Sequence, residues 1–387
     1  MIPYGRQDIT DEDVAAVEAV LRSDFLTQGP AVPSFEQAAA EACGAKFALA
    51  VNSATSALHI ACLALGLKEG DWLWTSPNTF VASSNCALYC GAKVDFVDID
   101  PRTYNMSVDR LQDKLEIASQ KGVLPKIVVA VHFAGQSCEM KRIRELGHQY
   151  GYKVIEDASH AIGGRYLDSA IGSCKYSDAT VFSFHPVKIV TTGEGGMVTT
   201  QDDSLAAQME LLRSHGISRN PDLMTQMPDG PWYYQQIELG FNYRMTDIQA
   251  ALGTSQMKRI NEYVQKRHNI ADRYNNDLKN LPLILPYQMK ETKSAFHLYV
   301  IRLKLTELKK SRLQIFNELR RDGVGVNVHY IPVHLQPYYR NFGFNLGDFP
   351  NSESYYSEAI SLPIFPTLKV EEQNNVIETL KRVLLSR

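Results

Sequence analysis

The stretch IVVAVHFAGQSCEMKRIRELGHQYGYKVIED (residues 127–157) decides the fold. It opens on an apolar run from Ile127 to His132, passes through a helical pattern from Met140 to Tyr150, and closes on a second run from Lys153 to Asp157. Near-continuous apolar runs separated by a helix are expected of strands in a parallel sheet that is covered on both faces. Working outward, the same alternation continues. FALAV (47–51), WLW (72–74) and VDFVDI (94–99) lie upstream, and ATVFSF (179–184) and GMVTT (196–200) downstream. Ser56 to Leu65 reads as another helix. The expected fold is α/β, with a mostly parallel seven-stranded sheet.

Beyond the sheet the pattern changes. A long helical pattern runs from about Thr246 to Leu281, with Thr246 as N-cap and Asp247 in the first turn. FHLYVIRL (296–303) reads as a strand, Glu307 to Arg321 as a helix, VGVNVHYI (324–331) as a strand and Val370 to Leu385 as a final helix. These make a smaller α+β unit. A chain of 387 residues is long for one minimal core. The expected division is a large domain over residues 1–255 and a small C-terminal domain over 256–387.

Bulk properties narrow the function. Hydrophobic residues at 44% and charged residues at 21% are an ordinary globular balance. A net charge of -3 leaves no nucleic-acid footprint. No apolar run has the length to cross a bilayer, and Met1 to Arg6 lacks the apolar region of a signal peptide. A cytoplasmic protein without membrane or nucleic-acid partners is expected. The six cysteines fit no zinc spacing and are expected to be buried thiols. Glu194 and the histidines make no defensible metal cluster. GxGxxG after a strand, P-loop, HExxH and GxSxG patterns are all missing.

Parallel sheets place their sites at the carboxyl ends of strands. Four stretches fall there. In FSFHPVKIVTTGEGG (182–196), Lys188 is either a strand-end surface lysine or a desolvated, nucleophilic amine. Gly193, Gly195 and Gly196 permit a close backbone approach, to a ligand or to another strand, or simply a tight turn. In VIEDASHAIGG (154–164), Asp157 is either a helix N-cap or a carboxylate paired with a protonated pyridine nitrogen, the pairing that makes pyridoxal 5'-phosphate (PLP) an electron sink. His160 either faces the same ring or is a satisfied helix histidine. In VNSATSALHIACLALGL (51–67), Thr55 and Ser56 occupy the first turn of a helix, where phosphate binds well and where ordinary capping also favours them. In SPNTFVASSNCALYCG (76–91), Phe80 either stacks on a flat cofactor or packs in the core.

The order Thr55/Ser56, Phe80, Asp157, Lys188, with the strings EDASHAIG, SFHPVK, TTGEGGM and LGFNYRMTDIQAALG (239–253), resembles the DegT/DnrJ/EryC1/StrS family of sugar aminotransferases. The resemblance covers nearly the whole chain. It implies a fold-type I PLP-dependent transferase acting on a nucleotide-linked keto sugar. Lys188 would be the Schiff-base lysine, Asp157 would pair with the pyridine nitrogen, and His160 would lie near the ring's phenolic oxygen. Phe80 would stack on the ring, and Thr55, Ser56 and Ser183 would hold the phosphate. Asn242 would reach the phosphate in the neighbouring subunit's site, because family sites form across a homodimer interface. Tyr4, the turn Thr27, Gln28 and Gly29, and the run His329, Tyr330 and Ile331 would line the sugar-nucleotide pocket.

IPYGRQDIT (2–10), SDFLTQGP (23–30), LRSHGISR (212–219) and VHYIPVHLQPYY (328–339) are similar to the pseudaminic acid branch of that family. That branch transfers an amino group from L-glutamate to C4 of a UDP-linked 4-keto-6-deoxy-N-acetyl-L-altrosamine-type sugar. Family members with histidine at the lysine position act as dehydratases, so Lys188 favours transamination. A PLP-fold regulator would need an added DNA-binding segment, and the chain has none to spare.

Overall fold

The computed structural model describes residues 1–385. Seven strands form the large sheet. They are β1 (Phe47–Val51), β2 (Trp72–Thr75), β3 (Lys93–Phe96), β4 (Ile127–Val131), β5 (Lys153–Asp157), β6 (Ala179–Ser183) and β7 (Gly196–Thr200). Their spatial order is β1-β7-β6-β5-β4-β2-β3. From β3 to β6 all neighbours are parallel, whereas β7 runs antiparallel to both β6 and β1. Successive parallel strands need a long crossover, usually a helix. Residues 184–195 contain no helix, so the chain turns back and β7 returns antiparallel. That return loop carries Lys188 over the carboxyl edge of the sheet.

Both faces of the sheet are covered, which explains the unbroken apolar runs. On β4, Ile127, Val129 and Val131 face one core with the helix Ala54–Ala64. Val128 and Ala130 face another, packed by the helices Val108–Lys121 and Met140–Tyr150. All five β4 residues are buried, and each fully buried valine or isoleucine contributes about 1.5–3 kcal/mol.

The C-terminal region departs from expectation in three places. The helical pattern over 246–281 is two helices, Asp247–Met257 and Ile260–Leu278. No proline or glycine marks the break. Arg259 leaves helical geometry there, and its guanidinium reaches Asp13 at 2.6 Å and the Tyr263 hydroxyl at 2.9 Å. The helix expected from Glu307 begins at Arg312, behind a Ser311 N-cap that forms a capping box with Gln314. Residues 324–331 are not a strand. Their ladder contacts are two isolated bridges, Ile2 with Val324 and Asn327 with Ser361. The small sheet is built instead from Leu283–Ile284, Tyr299–Leu303 and Ala359–Leu362.

The N-terminus joins this region. The Ile2 N–H donates to the Gly323 carbonyl and the Gly325 N–H donates to the Ile2 carbonyl, at 2.8 and 2.7 Å. The six cysteines are free thiols, all buried except the half-buried Cys90. Among the described residues no helix is long and apolar enough to cross a membrane, and no group of side chains is placed to hold a metal ion.

Candidate active site

A cavity of about 530 Å³ opens at the carboxyl edge of the sheet. Its floor is built from strand ends. Asp157 ends β5 and is 5% exposed. Residues 158–163 form turns, so Asp157 caps no helix. Its carboxylate accepts from the Ser83 hydroxyl at 2.6 Å, from the Ser159 hydroxyl at 2.6 Å and from the Ser159 N–H at 3.1 Å. Lys188 lines the same cavity from the return loop, its backbone held by a turn to the His185 carbonyl. Burial pulls its ammonium down to about 8, against the opposing charge of Asp157. A lysine so placed is in part a free amine near neutral pH.

His160 stands beside them, 6% exposed. Its Nδ1 accepts the Ala134 N–H at 3.3 Å, and its Nε2 lies 3.1 Å from the Tyr330 hydroxyl. Burial, then the charges of Lys188 and His329, hold its pKa well below the usual histidine range. The ring is therefore neutral, and an occupied Nδ1 lone pair puts its proton on Nε2.

The phosphate-type helix start is also in place. Ser53 is the N-cap of Ala54–Ala64 and accepts the Ser56 N–H, and Ser53, Ala54 and Thr55 all line the cavity. Gly196 explains the close approach. A Cβ there would collide with the Ser53 carbonyl and the Ala54 nitrogen. Of the readings open for the glycines, close contact with another backbone segment is what Gly196 provides. Ser183, paired with Gly196 at the end of β6, adds a hydroxyl to the same wall.

The facing wall comes from the C-terminal region. His329 and Tyr330 line it, with Tyr4 packed 5.2 Å from the His329 ring. Phe80 presents an open ring, 60% exposed and 6.3 Å from Tyr330. Burial raises the hydroxyl pKa of both tyrosines and pulls the His329 imidazole down to about 4.

Tyr4, Thr55, Phe80, Asp157, His160, Ser183, Lys188, His329 and Tyr330 thus meet at one cavity. The remaining candidates lie outside it within one chain. The Ser56 hydroxyl is turned to Asn52 Oδ1 at 2.6 Å, beneath the helix start. Ile331 is 47% exposed and does not line the cavity. Thr27 bridges Thr246, and the Gly29 N–H donates to Asp247 at 2.8 Å, so this turn is tied to the start of Asp247–Met257. Asn242 is exposed and bridges Ser214. Ser53, Ser83, Ser159, His297 and Asn327 also build the site, though no catalytic sequence motif marks them. A Ser two residues after a strand-end Asp is a turn signal that pointed to Ser159; Ser83 meets Asp157 from 74 residues away, which no local pattern reveals.

The family model described as the DegT/DnrJ/EryC1/StrS aminotransferase family matches residues 7–381. The chain belongs to that family. Similar relatives include the spore coat polysaccharide biosynthesis protein SpsC of Bacillus subtilis, 38% identical over 99% of this chain and 97% of the relative. The UDP-4-amino-4,6-dideoxy-N-acetyl-beta-L-altrosamine transaminase of Campylobacter jejuni is 36% identical over 99% and 98%. Among solved structures, Helicobacter pylori PseC, an aminotransferase of pseudaminic acid biosynthesis, superimposes with a TM-score of 0.91 at 31% identity over 100% of both chains. A sugar aminotransferase of Streptococcus pneumoniae solved in its PLP form gives 0.87 at 28% identity, covering 99% of this chain and 98% of that one.

As a member of this family the protein is a PLP-dependent aminotransferase. The cavity fits that cofactor. It offers a partly deprotonated lysine, a buried carboxylate whose hydroxyl donors are already arranged, and a helix N-terminus for phosphate.

Proposed function

We propose that this aminotransferase moves an amino group from L-glutamate to C4 of a UDP-linked 4-keto-6-deoxy-N-acetylhexosamine, giving an L-altrosamine-type product for pseudaminic acid biosynthesis. The observation that carries this assignment is the full-length likeness to the Campylobacter altrosamine transaminase and to PseC. The active form is a cytoplasmic homodimer with shared sites. The large domain would span residues 1–255, with Ile2 reaching into the core of a small domain over 256–387, whose last two residues lie outside the described residues.

When bound, PLP supplies an electron sink that stabilises the carbanion left when a proton departs from the amine-bearing carbon. Asp157 holds a positive charge on the ring nitrogen, and its Ser83 and Ser159 donors keep the carboxylate from rotating away. Lys188 would be the covalent attachment point, and its Nζ would take up and return the proton of the substrate carbon, because its amine is poised between its two protonation states near pH 8. His160, whose Nε2 lies 3.1 Å from the Tyr330 hydroxyl, would sit near the ring's phenolic oxygen, and Phe80 would cover one face. Thr55 and Ser183 would hold the phosphate from this chain and Asn242 of a second copy would add to it, whereas the Ser56 hydroxyl would have to leave Asn52 to take part. Tyr4, His329 and Tyr330 would contact the sugar; Ile331 and the turn Thr27–Gly29, proposed with them, lie outside the cavity of this chain, the turn tied to Asp247.

Incubation with L-glutamate and the UDP-linked 4-keto sugar tests the assignment. A 4-amino sugar with one equivalent of 2-oxoglutarate is expected. Glutamate turnover with other UDP-linked keto sugars, and none with this one, would overturn it. The 38% identity to a spore coat polysaccharide protein supports a second reading, in which a different nucleotide-linked keto sugar is the acceptor. Formation of a deoxygenated sugar in place of an amino sugar would instead indicate a dehydratase.

A further inference from the structure

His297 lies at the cavity, yet the transamination scheme above gives it no task. It is 4% exposed, and its Nδ1 is buried without a hydrogen-bond partner. An unsatisfied buried nitrogen costs about 1–3 kcal/mol, so an apolar side chain would serve packing better. Its ring lies against His160, with centroids 4.5 Å apart at 40°. Tyr330 contacts the same imidazole at Nε2, and the Phe133 ring meets it edge-on at 6.1 Å.

The backbone carrying His297 is fixed to the turn that carries His160's other partner. The Ala295 N–H donates to the Gly135 carbonyl and the Leu298 N–H to the Ala134 carbonyl. Gly135, at φ 106°, has no room for a Cβ, which would meet the Phe296 and His297 nitrogens and the His160 carbonyl. From behind, the buried guanidinium of Arg267 donates to the carbonyls of Phe296, His297 and Ile364 at 3.0–3.3 Å. One seam therefore sets both the Ala134 N–H that occupies His160 Nδ1 and the ring that packs on the His160 face.

We propose that His297 is a positioning residue, whose ring holds the His160 imidazole in the orientation that keeps Ala134 on Nδ1 and turns Nε2–H toward Tyr330 and the cofactor cavity. The charged and titratable groups around this pair are Lys188, His329, Arg267 and Tyr330, with the Asp157 carboxylate in the same cavity, where it opposes the Lys188 ammonium. Burial first, then the charges of Lys188, Arg267 and the neighbouring imidazoles, disfavour protonation of either ring. The proposal rests on His160 facing the cofactor, as assigned above.

Its test begins without cofactor or sugar, so it fails separately from that assignment. Imidazole ¹⁵N spectra of the PLP-free, histidine-labelled protein are recorded between about pH 5 and 8, with His160 assigned by its loss in His160→Gln. The wild-type chain should show His160 as a single Nε2–H tautomer that does not titrate. His297→Phe, which keeps a ring, should preserve that signal. His297→Ala should give mixed tautomers and a visible titration, and His297→Leu serves if the alanine variant does not fold. In the PLP-loaded protein the same ring-less variants should shift the pH midpoint of the visible cofactor band. A ring-less variant that melts earlier but leaves both tautomer and band unchanged would reduce His297 to packing and overturn the proposal. So would a phenylalanine variant as disturbed as alanine.

Discussion

Replacing Gly196 by alanine should weaken phosphate binding by displacing the helix start that would cradle it. The added methyl would point into the Ser53 carbonyl and the Ala54 nitrogen, which are backbone and cannot rotate aside. β7 is hydrogen-bonded on both sides, to β1 and β6, so the sheet resists the shift and the start of Ala54–Ala64 must give way. Overpacking of this kind costs about 1–3 kcal/mol. The displaced helix start loses at least one N–H bond to a charged phosphate, about 1.5–3 kcal/mol, or roughly 10–150-fold in Kd. Pyridoxamine 5'-phosphate is the right probe, because it carries no aldehyde to bond with Lys188. Fluorescence titration should show that loss of affinity in a folded Gly196→Ala protein. Gly193→Ala is the control. At Gly193 nothing lies within 4 Å of the new Cβ, but φ is 81°, so the change costs about 1–2 kcal/mol of backbone strain and should lower the melting temperature alone. A stable Gly196→Ala protein that binds pyridoxamine 5'-phosphate like wild type would refute the reasoning.

Asp157→Asn should keep the fold but lower kcat by about 10–150-fold, the loss of one charge-assisted bond of about 1.5–3 kcal/mol, with steady-state kinetics as the check. Removing that carboxylate also removes the charge that supports the Lys188 ammonium, so the lysine should titrate lower still, measured by the pH dependence of covalent labelling. Because burial depresses Lys188 to about 8, its free-amine fraction rises as pH climbs through that value. The rate of PLP incorporation should therefore rise over the same range and level off above it, and a flat profile would contradict the depressed value. Mixed dimers of Asn242→Ala and Lys188→Ala should regain part of the activity that Lys188→Ala alone lacks. Verified mixed dimers with no recovery would count against a shared site.

The large sheet was legible because both of its faces are apolar, as on β4, where alternate residues enter different cores. The direction of β7 was not, since GMVTT reads alike in either orientation and only the helix-free return loop decides it. The break at Lys258–Arg259 carries no local signal, because a long-range contact to Asp13 accompanies it. VGVNVHYI has a strand's composition, yet Ala359–Leu362 takes the place beside Tyr299–Leu303. In the site, Asp157 and Lys188 were legible as charged groups at strand ends. Their supports were not. Ser83 comes from another helix, and His297 from beyond the break between Asp247–Met257 and Ile260–Leu278. Thr27–Gly29 and Asn242 lie outside the cavity of one chain.

The most direct test of the central claim is the visible spectrum of the protein with PLP, before and after L-glutamate, for wild type and Lys188→Ala, followed by borohydride reduction and peptide mass analysis. The account predicts a visible band in the wild type that glutamate removes, and, without glutamate, a reduced cofactor fixed to the peptide bearing Lys188. Lys188→Ala should retain neither the glutamate-driven conversion nor the fixed cofactor. A wild-type protein that shows no such band with PLP in excess, or that fixes the cofactor on another lysine, would contradict it.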